Sequence, residues 1–188
     1  MKLYLIIGPM FSGKTSFIIK KFNSNNTLAI KPIIDNRYNT KEIVSHDNIK
    51  IPCMSISNLC SLINKIDFNE FKNIIIDEGQ FFEDIDKFIN MIENYHINIY
   101  IAALNGDFNR QPFKIISNLY ARADEIFFKQ GKCYFCDNKS SFSLKFNKNT
   151  NYLNSQIDVG GSEKYHPVCG NCYINSLKRH VSHKFLEV

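Results

Sequence analysis

The segment at positions 8–15 has the spacing of a phosphate-binding loop, G-x-x-x-x-G-K-[ST]. Glycines let such a backbone curl so that successive N–H groups point at phosphate oxygens, and the helix that follows adds its positive dipole end. Lys14 can then reach the β- and γ-phosphates, while the Thr15 hydroxyl can bind Mg²⁺. The predicted nucleotide-binding residues of the loop are Gly8, Pro9, Met10, Phe11, Ser12, Gly13, Lys14 and Thr15.

Two adjacent carboxylates, Asp77 and Glu78, follow the apolar run Ile74–Ile76. A phosphate-binding loop needs a carboxylate at the end of a neighbouring strand to hold the water shell of the metal, and Asp77 fits this role. Adjacent residues that leave a strand point apart, so Glu78 faces a different group. Three roles stay open for Glu78: base for a hydroxyl acceptor, polariser of water as in an ATPase, or cap of the next helix.

Four of the six cysteines form two C-x-x-C pairs, separated by 32 residues. Paired motifs at this density favour a metal site over disulfides, and four thiolates close a tetrahedron without an open position. A redox motif would not need a second pair. We therefore predict a structural zinc site, and we expect Cys53 and Cys60 to be free thiols. The predicted zinc ligands are Cys133, Cys136, Cys169 and Cys172.

The segment between the cysteine pairs contains Gly160-Gly161 and Tyr165. Two glycines allow a close backbone approach, and a tyrosine can stack on a ligand or form a hydrogen bond with it. The segment is thus either a lid over a site or an ordinary surface turn. Phe81 and Phe108 lie just beyond two predicted strands, where ligands of α/β proteins bind.

Strands and helices alternate through the first part of the chain, which predicts an α/β fold with a parallel sheet covered by helices on both faces. The predicted strands are 2–7, 27–32, 71–77, 97–104 and 125–129, and the predicted helices are 13–23, 57–66, 84–93 and 114–121. Residues 35–47 lack periodicity and are predicted to form a surface loop.

The pattern changes near Gln130, where Asn/Ser/Gly-rich turns begin. We predict strands at 141–146 and 152–157 and a helix at 171–180. Two domains are expected: a nucleotide-binding α/β domain, residues 1–130, and a smaller zinc-binding domain, residues 131–188, which carries the lid and packs on the main sheet.

The net charge of +5 is weak support for a nucleic-acid partner. The basic residues comprise 19 Lys and 4 Arg and are scattered, and the abundance of Ile, Asn, Phe and Lys matches A/T-rich codons. A Zn²⁺ held by four thiolates carries a net −2, which lowers the charge to +3. No apolar run is long enough to cross a membrane and no signal peptide precedes the first strand, so we expect a cytoplasmic protein.

The motifs together resemble the zinc-containing thymidine kinases of poxviruses, many bacteria and the animal cytosol. The resemblance rests on Gly-Pro-Met-Phe-Ser-Gly-Lys at 8–14, Asp-Glu-Gly-Gln-Phe-Phe at 77–82, Asn109-Arg110 with Pro112-Phe113, and Gly160-Gly161 with Tyr165 and Cys169-x-x-Cys172. These matches occur in the same order as in the family, from about residue 3 to residue 175.

The resemblance implies transfer of the γ-phosphoryl group of ATP to the 5′-hydroxyl of thymidine. Glu78 would accept the proton and Asp77 would lie on the Mg²⁺ side. The residues implied around the donor phosphates, besides the loop, are Asp35, Asn36, Arg37, Asp77 and Gln80. Such enzymes are homotetramers and are often inhibited by the triphosphate end product, here dTTP.

The resemblance also implies a nucleoside site under the lid. Backbone groups of the lid would read thymine, with Tyr165 beside it and Phe108 in the pocket wall. The implied nucleoside-binding residues are Phe108, Gln156, Ile157, Asp158, Val159, Gly160 and Tyr165, and further wall residues are Met10, Phe81, Leu104 and Phe113.

The chain departs from the family at Leu-Asn-Gly-Asp-Phe, residues 104–108, where the family usually has Leu-Asp-Gly-Thr before the aromatic residue, and at Asp158, where the lid is more often apolar. Selectivity among pyrimidine nucleosides is therefore predicted less firmly than the reaction. Two alternatives are a P-loop ATPase module that acts with nucleic acid and a nucleotide-binding protein without turnover. The first needs a basic stripe near the cysteines, but residues 133–172 contain no Arg.

Overall fold

A computed structural model of the protein describes residues 1–35, 40–146 and 160–184, with side chains up to residue 177. The strands of this part are β1 (Lys2–Gly8), β2 (Thr27–Pro32), β3 (Glu42–Val44), β4 (Lys50–Pro52), β5 (Met54–Ile56), β6 (Asn73–Ile76), β7 (Asn98–Leu104), β8 (Glu125–Phe128), β9 (Phe142–Lys145) and β10 (Tyr165–Val168). The helices are α1 (Lys14–Ile19), α2 (Ile85–Ile92), α3 (Lys114–Ser117) and α4 (Gly170–Lys184). None of the described helices is long and apolar enough to cross a membrane.

Six strands of the described chain form one sheet in the order β5-β2-β6-β7-β1-β8, and every neighbouring pair is parallel. The predicted α/β class is confirmed, and each of the five predicted strands of this sheet is present. The register pairs Gly8 with Leu104 and Ile76 with Ile101. Because parallel strands end at the same edge, the phosphate-binding motif and the Asp77-Glu78 pair meet there.

Alternate residues of the central strands feed two separate cores. Ile74 and Ile76 pack in the cluster that includes α2 and α3, whereas Ile75 packs against α1 and the β3–β4 hairpin. This alternation is the two-residue period of a strand whose faces are both covered. The buried residues on α2 recur at helical spacing, Ile85, Phe88, Ile89 and Ile92.

Several predicted boundaries are wrong, mostly where elements are short. The predicted loop 35–47 contains β3, and the three-residue strands β4 and β5 were missed, since three residues carry no readable period. The predicted helix 57–66 is only a 3-10 turn, Leu59–Leu62. That turn begins where the Asn58 side chain accepts a hydrogen bond from the Ser61 N–H, and it ends because Ile63 is extended, with ψ 132°.

The first and third helices are also shorter than predicted. The helix predicted at 13–23 is Lys14–Ile19, and the one predicted at 114–121 is Lys114–Ser117, followed by a 3-10 turn at Tyr120–Arg122. Neither helix has an acidic residue in its first turn, and apart from Lys114 neither has a basic residue in its last turn. Little besides packing therefore defines where the two helices begin and end.

The cysteine-containing part folds as a small lobe of the antiparallel pair β9–β10 and helix α4. The strand predicted at 141–146 and the helix predicted at 171–180 are confirmed, and the predicted strand 152–157 lies outside the described residues. Strand β10 was missed because His166 and Pro167 interrupt its pattern. The lobe packs on the main sheet, since the Asn105 Nδ2 donates to the Ser141 carbonyl oxygen over 3.2 Å. The domain boundary at residue 130 stays a prediction.

The buried face of α2 should dominate the stability of the first core. We expect Phe88→Ala to lower the free energy of unfolding by about 3–5 kcal/mol, because Phe88 is fully buried and contacts Phe68. The control Met91→Ala removes an exposed side chain from the same helix and should change the free energy of unfolding by less than about 0.5 kcal/mol. Urea denaturation followed by circular dichroism measures both, and equal losses would contradict this packing.

Candidate active site

The loop between β1 and α1 is shaped by its two glycines. A Cβ atom at Gly8 would lie 2.2 Å from the Lys129 carbonyl oxygen, so only glycine fits between the two strands. Gly13 has a left-handed backbone (φ 80°) that side chains rarely adopt, and space around it is open. The sequence therefore folds this loop into the turn that the motif predicts.

Polar groups inside the loop are positioned for an anionic ligand. Lys14 is buried, and its ammonium group donates to the Pro9 carbonyl oxygen over 2.7 Å. Ser12 is also buried, and its hydroxyl oxygen has no hydrogen-bond partner in the part of the chain that the structure describes. A buried hydroxyl without a partner fits a site that a polar ligand completes.

Thr15 and Asp77 come together although 62 residues separate them. The Thr15 hydroxyl donates to the Asp77 carboxylate, with both oxygens 3.3 Å away. The Asp77 carboxylate also accepts the Glu78 N–H over 3.1 Å. A hydroxyl and a carboxylate facing each other form a hard oxygen donor set of the kind that Mg²⁺ prefers.

Glu78 has a left-handed backbone with φ 52°, which is uncommon for a residue with a side chain. Its side chain does not cap the turn that follows, so the capping role that the sequence left open is absent. Instead the Gln80 amide donates to the Glu78 carboxylate over 2.6 Å, and the Gln80 oxygen accepts the Leu104 N–H over 3.1 Å. Gln80 thereby ties the carboxylate to the end of β7.

A buried ion pair between Lys31 and Asp35 lies beside these groups. The sequence predicted Asp35 as a site residue but not Lys31. Lys31 is 2% exposed, and its ammonium nitrogen is 3.9 Å from the carboxylate of the predicted residue Asp35. A lysine within the apolar strand β2 indicates a special site, because burying a charge costs free energy unless the charge has a functional or structural role. The predicted residues Asn36 and Arg37 lie outside the described residues.

One cleft joins these groups to the aromatic residues and encloses about 1180 Å³ of empty space, its open mouth included. Its walls include most residues predicted from the sequence: Met10, Phe11, Ser12, Gly13, Lys14, Thr15, Asp35, Asp77, Glu78, Gln80, Phe81, Leu104, Phe108, Phe113, Gly160 and Tyr165. Lys31, His46 and Ser143 also line it and were not predicted.

The aromatic end of the cleft is formed by both lobes. The rings of Phe108 and Tyr165 are 6.3 Å apart, and the Lys145 ammonium nitrogen lies 4.9 Å from the Phe108 ring. The Met10 N–H donates to the Ser143 hydroxyl over 3.0 Å, which connects the loop to β9. The predicted lid residues Gln156, Ile157, Asp158 and Val159 lie outside the described residues.

The unusual residues at 105–107 act within the local structure. Asp107 is buried, and its Oδ1 accepts the N–H groups of Asn109 over 2.9 Å and Gln111 over 2.7 Å. Asn105 donates to the other lobe through Ser141. The departure from the family pattern thus builds the turn that carries Phe108.

The four predicted cysteine ligands form a compact cluster whose sulfur atoms all lie within 4.8 Å of one another. The Cys136 sulfur is 3.7 Å from that of Cys169 and 3.6 Å from that of Cys172. Zn–S bonds of about 2.3 Å at tetrahedral angles place sulfur atoms about 3.8 Å apart, so the cluster fits a zinc ion. These distances are too long for disulfides, and all four cysteines are free thiols.

The thiols influence one another's protonation. Burial works to raise the pKa of Cys133, but N–H donors such as that of Cys169, 3.3 Å away, outweigh it and lower the pKa to about 6. The hydrogen bond between Cys172 and Cys169 raises the pKa of Cys172 to about 12. Four thiolates at these distances therefore require a cation between them.

Comparisons with known proteins agree with this geometry. The family model described as "Thymidine kinase" matches residues 1–173. The thymidine kinase of Amsacta moorei entomopoxvirus is 38% identical, over 94% of this chain and 100% of the relative. That of Choristoneura fumiferana entomopoxvirus is 38% identical over 92% and 96%, and that of Vaccinia virus (strain Western Reserve) is 35% identical over 93% and 97%, respectively. The chain therefore belongs to the thymidine kinase family of nucleoside kinases.

Proposed function

We propose that the protein transfers the γ-phosphoryl group of ATP to the 5′-hydroxyl of thymidine. One observation carries this proposal: a single cleft is lined by Lys14 and Thr15 at one end and by Phe108 and Tyr165 at the other, with Glu78 in its wall. A donor and an acceptor bound at the two ends would meet beside a carboxylate. Family membership identifies the nucleoside.

The donor triphosphate would bind in the loop at residues 8–15. The buried Ser12 hydroxyl and the Lys14 ammonium group supply donors, supported by the open space at Gly13. Thr15 and Asp77 would hold Mg²⁺, which offsets the negative charge of the phosphates when it is bound. Asp35, Asn36, Arg37 and Gln80 stay predictions as donor-site residues.

Glu78 would accept the proton of the 5′-hydroxyl. As the 5′-oxygen forms its bond to the γ-phosphorus, the bond from that phosphorus to the β–γ bridging oxygen breaks, and ADP leaves with that electron pair. The Gln80 amide donates to one carboxylate oxygen of Glu78, which restrains this side chain in the wall of the cleft. Positioning and electrostatics would supply most of the rate enhancement.

Thymine would lie in the aromatic end of the cleft. The tilted rings of Phe108 and Tyr165 offer aromatic surface against which a flat base can pack, and the wall residues Met10, Phe81, Leu104 and Phe113 are apolar. Backbone groups of the lid, Gln156 to Gly160, would read the edge of the base. This part of the proposal rests on the family resemblance and on the placement of Gly160 in the cleft wall.

We further propose a structural zinc ion, a homotetramer and feedback inhibition by dTTP. The exposed Ile126 and Phe128 on the edge strand β8 support association of subunits, since unpaired apolar edges favour pairing. The reduced thiolates that zinc needs suggest a cytoplasmic location. Light scattering of the purified protein tests the tetramer, and inhibition by added dTTP tests the feedback.

The proposed reaction is tested by incubating the protein with γ-labelled ATP, Mg²⁺ and a panel of deoxynucleosides. Labelled thymidine monophosphate is the expected product. Hydrolysis of ATP that polynucleotides stimulate, without any monophosphate, would instead support the nucleic-acid module. Binding of ATP without any product would support a protein that does not turn over.

Replacing the proposed base should separate binding from chemistry. We expect Glu78→Gln to lower kcat by at least about 100-fold, because an amide cannot accept the proton, while the Kd for ATP changes less than twofold. Glu83→Gln alters an exposed carboxylate nearby and should leave both values unchanged. Single-turnover kinetics and nucleotide titration measure them. Turnover by Glu78→Gln at the wild-type rate would refute the role of this residue.

The cysteine cluster should hold about one zinc ion per chain. We expect Cys169→Ser to lose the ion and to unfold the small lobe, because three thiolates and a hydroxyl bind zinc far more weakly. The control Cys60→Ser removes a thiol that packs against the core beneath α2, outside the small lobe, and should retain the metal. Elemental analysis of the purified proteins measures the stoichiometry, and a metal-free wild-type protein with an intact small lobe would contradict the site.

A further inference from the structure

One buried hydrogen bond connects the small lobe of β9, β10 and α4, called the zinc lobe below, to the turn that carries Phe108. The Tyr173 hydroxyl donates to the Phe108 carbonyl oxygen over 2.8 Å, although 65 residues separate the two. Tyr173 is 3% exposed and Phe108 is 8% exposed. A buried carbonyl oxygen that loses its donor is costly to leave unpaired, so this bond fixes the position of the turn.

Arg110 adds a second connection between the same two parts. Its guanidinium carbon lies 4.6 Å from the centre of the Tyr173 ring and 5.4 Å from that of the Phe142 ring. Both rings belong to the zinc lobe, while Arg110 belongs to the turn and has a left-handed backbone (φ 61°). A planar cation between two aromatic faces is attracted to each, which a flexible ammonium group cannot reproduce.

The turn itself is rigid enough to transmit this contact. The Asp107 N–H donates to the Gln111 carbonyl oxygen over 2.9 Å, and the Arg110 N–H donates to the Asp107 carbonyl oxygen over 3.0 Å. With the two bonds that the Asp107 carboxylate accepts, residues 107–111 form a closed unit. A displacement of Arg110 or of the Phe108 carbonyl group therefore moves the Phe108 ring as well.

At its other end, the connection reaches the cysteine cluster. Tyr173 directly follows Cys172, and its N–H donates to the Cys169 carbonyl oxygen over 3.0 Å. The Cys169 N–H in turn donates to the Cys133 sulfur. The Tyr173 ring is thus held by the same short segment that supplies two of the metal ligands.

We infer that Tyr173 and Arg110 are positioning residues that hold Phe108 in the nucleoside pocket, so that their contacts between the zinc lobe and the turn set the affinity for the acceptor but not for ATP. Neither residue touches the proposed reacting atoms. This inference rests on the proposed function, since it assigns Phe108 to the nucleoside. It gives the structural metal a specific task, namely shaping one of the two substrate sites.

The test replaces Tyr173 by Phe, which removes the hydroxyl and retains the ring. We expect the KM for thymidine to rise about three- to tenfold, as for loss of one buried hydrogen bond, while kcat and the KM for ATP change less than twofold. Tyr134→Phe is the matched control, because Tyr134 lies in the same lobe and is 61% exposed. Its kinetic constants should equal those of the wild type.

Hydrogen–deuterium exchange provides a measurement independent of activity. In Tyr173→Phe the amides of residues 105–111 should exchange faster, while those of β6 and α1 stay unchanged. Arg110→Lys keeps the charge and lies away from the cysteines, and we expect a smaller rise of about two- to fivefold in the KM for thymidine. If Tyr173→Phe loses zinc or fails to fold, the KM of Arg110→Lys for thymidine tests the inference in its place.

Three results would overturn the inference: unchanged exchange at 105–111, an unchanged KM for thymidine, or an equal rise of both KM values. A wild-type protein that makes no thymidine monophosphate would overturn the proposed function instead. In that event the exchange at residues 105–111 alone decides whether Tyr173 holds the turn.

Discussion

The parallel pairing of β6, β7 and β1 is the constraint on which the site depends. Parallel strands end at a common edge, so the loop after Gly8, the carboxylates after Ile76 and the turn after Leu104 all lie at that edge of the sheet. The hydrogen bond between Thr15 and Asp77 crosses this edge, and Gln80 connects it to β7. Each chemical group thus takes its position from backbone pairing among the buried central strands of the sheet.

The small lobe contacts the same edge of the sheet, although its own stability comes from the cluster around its cysteines. It is too small to bury a large core, and its apolar cluster is built around the cysteines, with Val168 and Leu144 beside them. Its contacts with the sheet domain, from Ser143, Ser141 and Tyr173, all reach loops at the carboxyl edge. The small lobe therefore borders the aromatic end of the cleft, and through Ser143 it also contacts the loop at 8–15.

The sequence was informative wherever a spacing reflects a physical requirement. The alternation of strands and helices predicted the α/β class. The glycines of the loop, the carboxylates after a buried strand and the paired cysteines predicted residues that the cleft and the cluster bring together. Short strands such as β4 and β5 carry too few residues for a period. Ser143 and His46 were missed because only the tertiary fold brings isolated polar residues of peripheral segments to the cleft. The contact of Tyr173 with Phe108 spans 65 residues and has no local signal.

The charges around the cleft indicate why a metal would be needed for the proposed donor. Among the described wall residues, Lys14 and Lys31 face four carboxylates, those of Asp35, Asp77, Glu78 and Asp107. Lys31 is already paired with Asp35, so the protein alone offers little net positive charge to a triphosphate. Mg²⁺ beside Asp77 would offset the negative charge of the carboxylates, because a bound divalent cation is the largest local charge in such a site. The overall charge of +5 therefore says little about phosphate binding, which depends on a few buried groups.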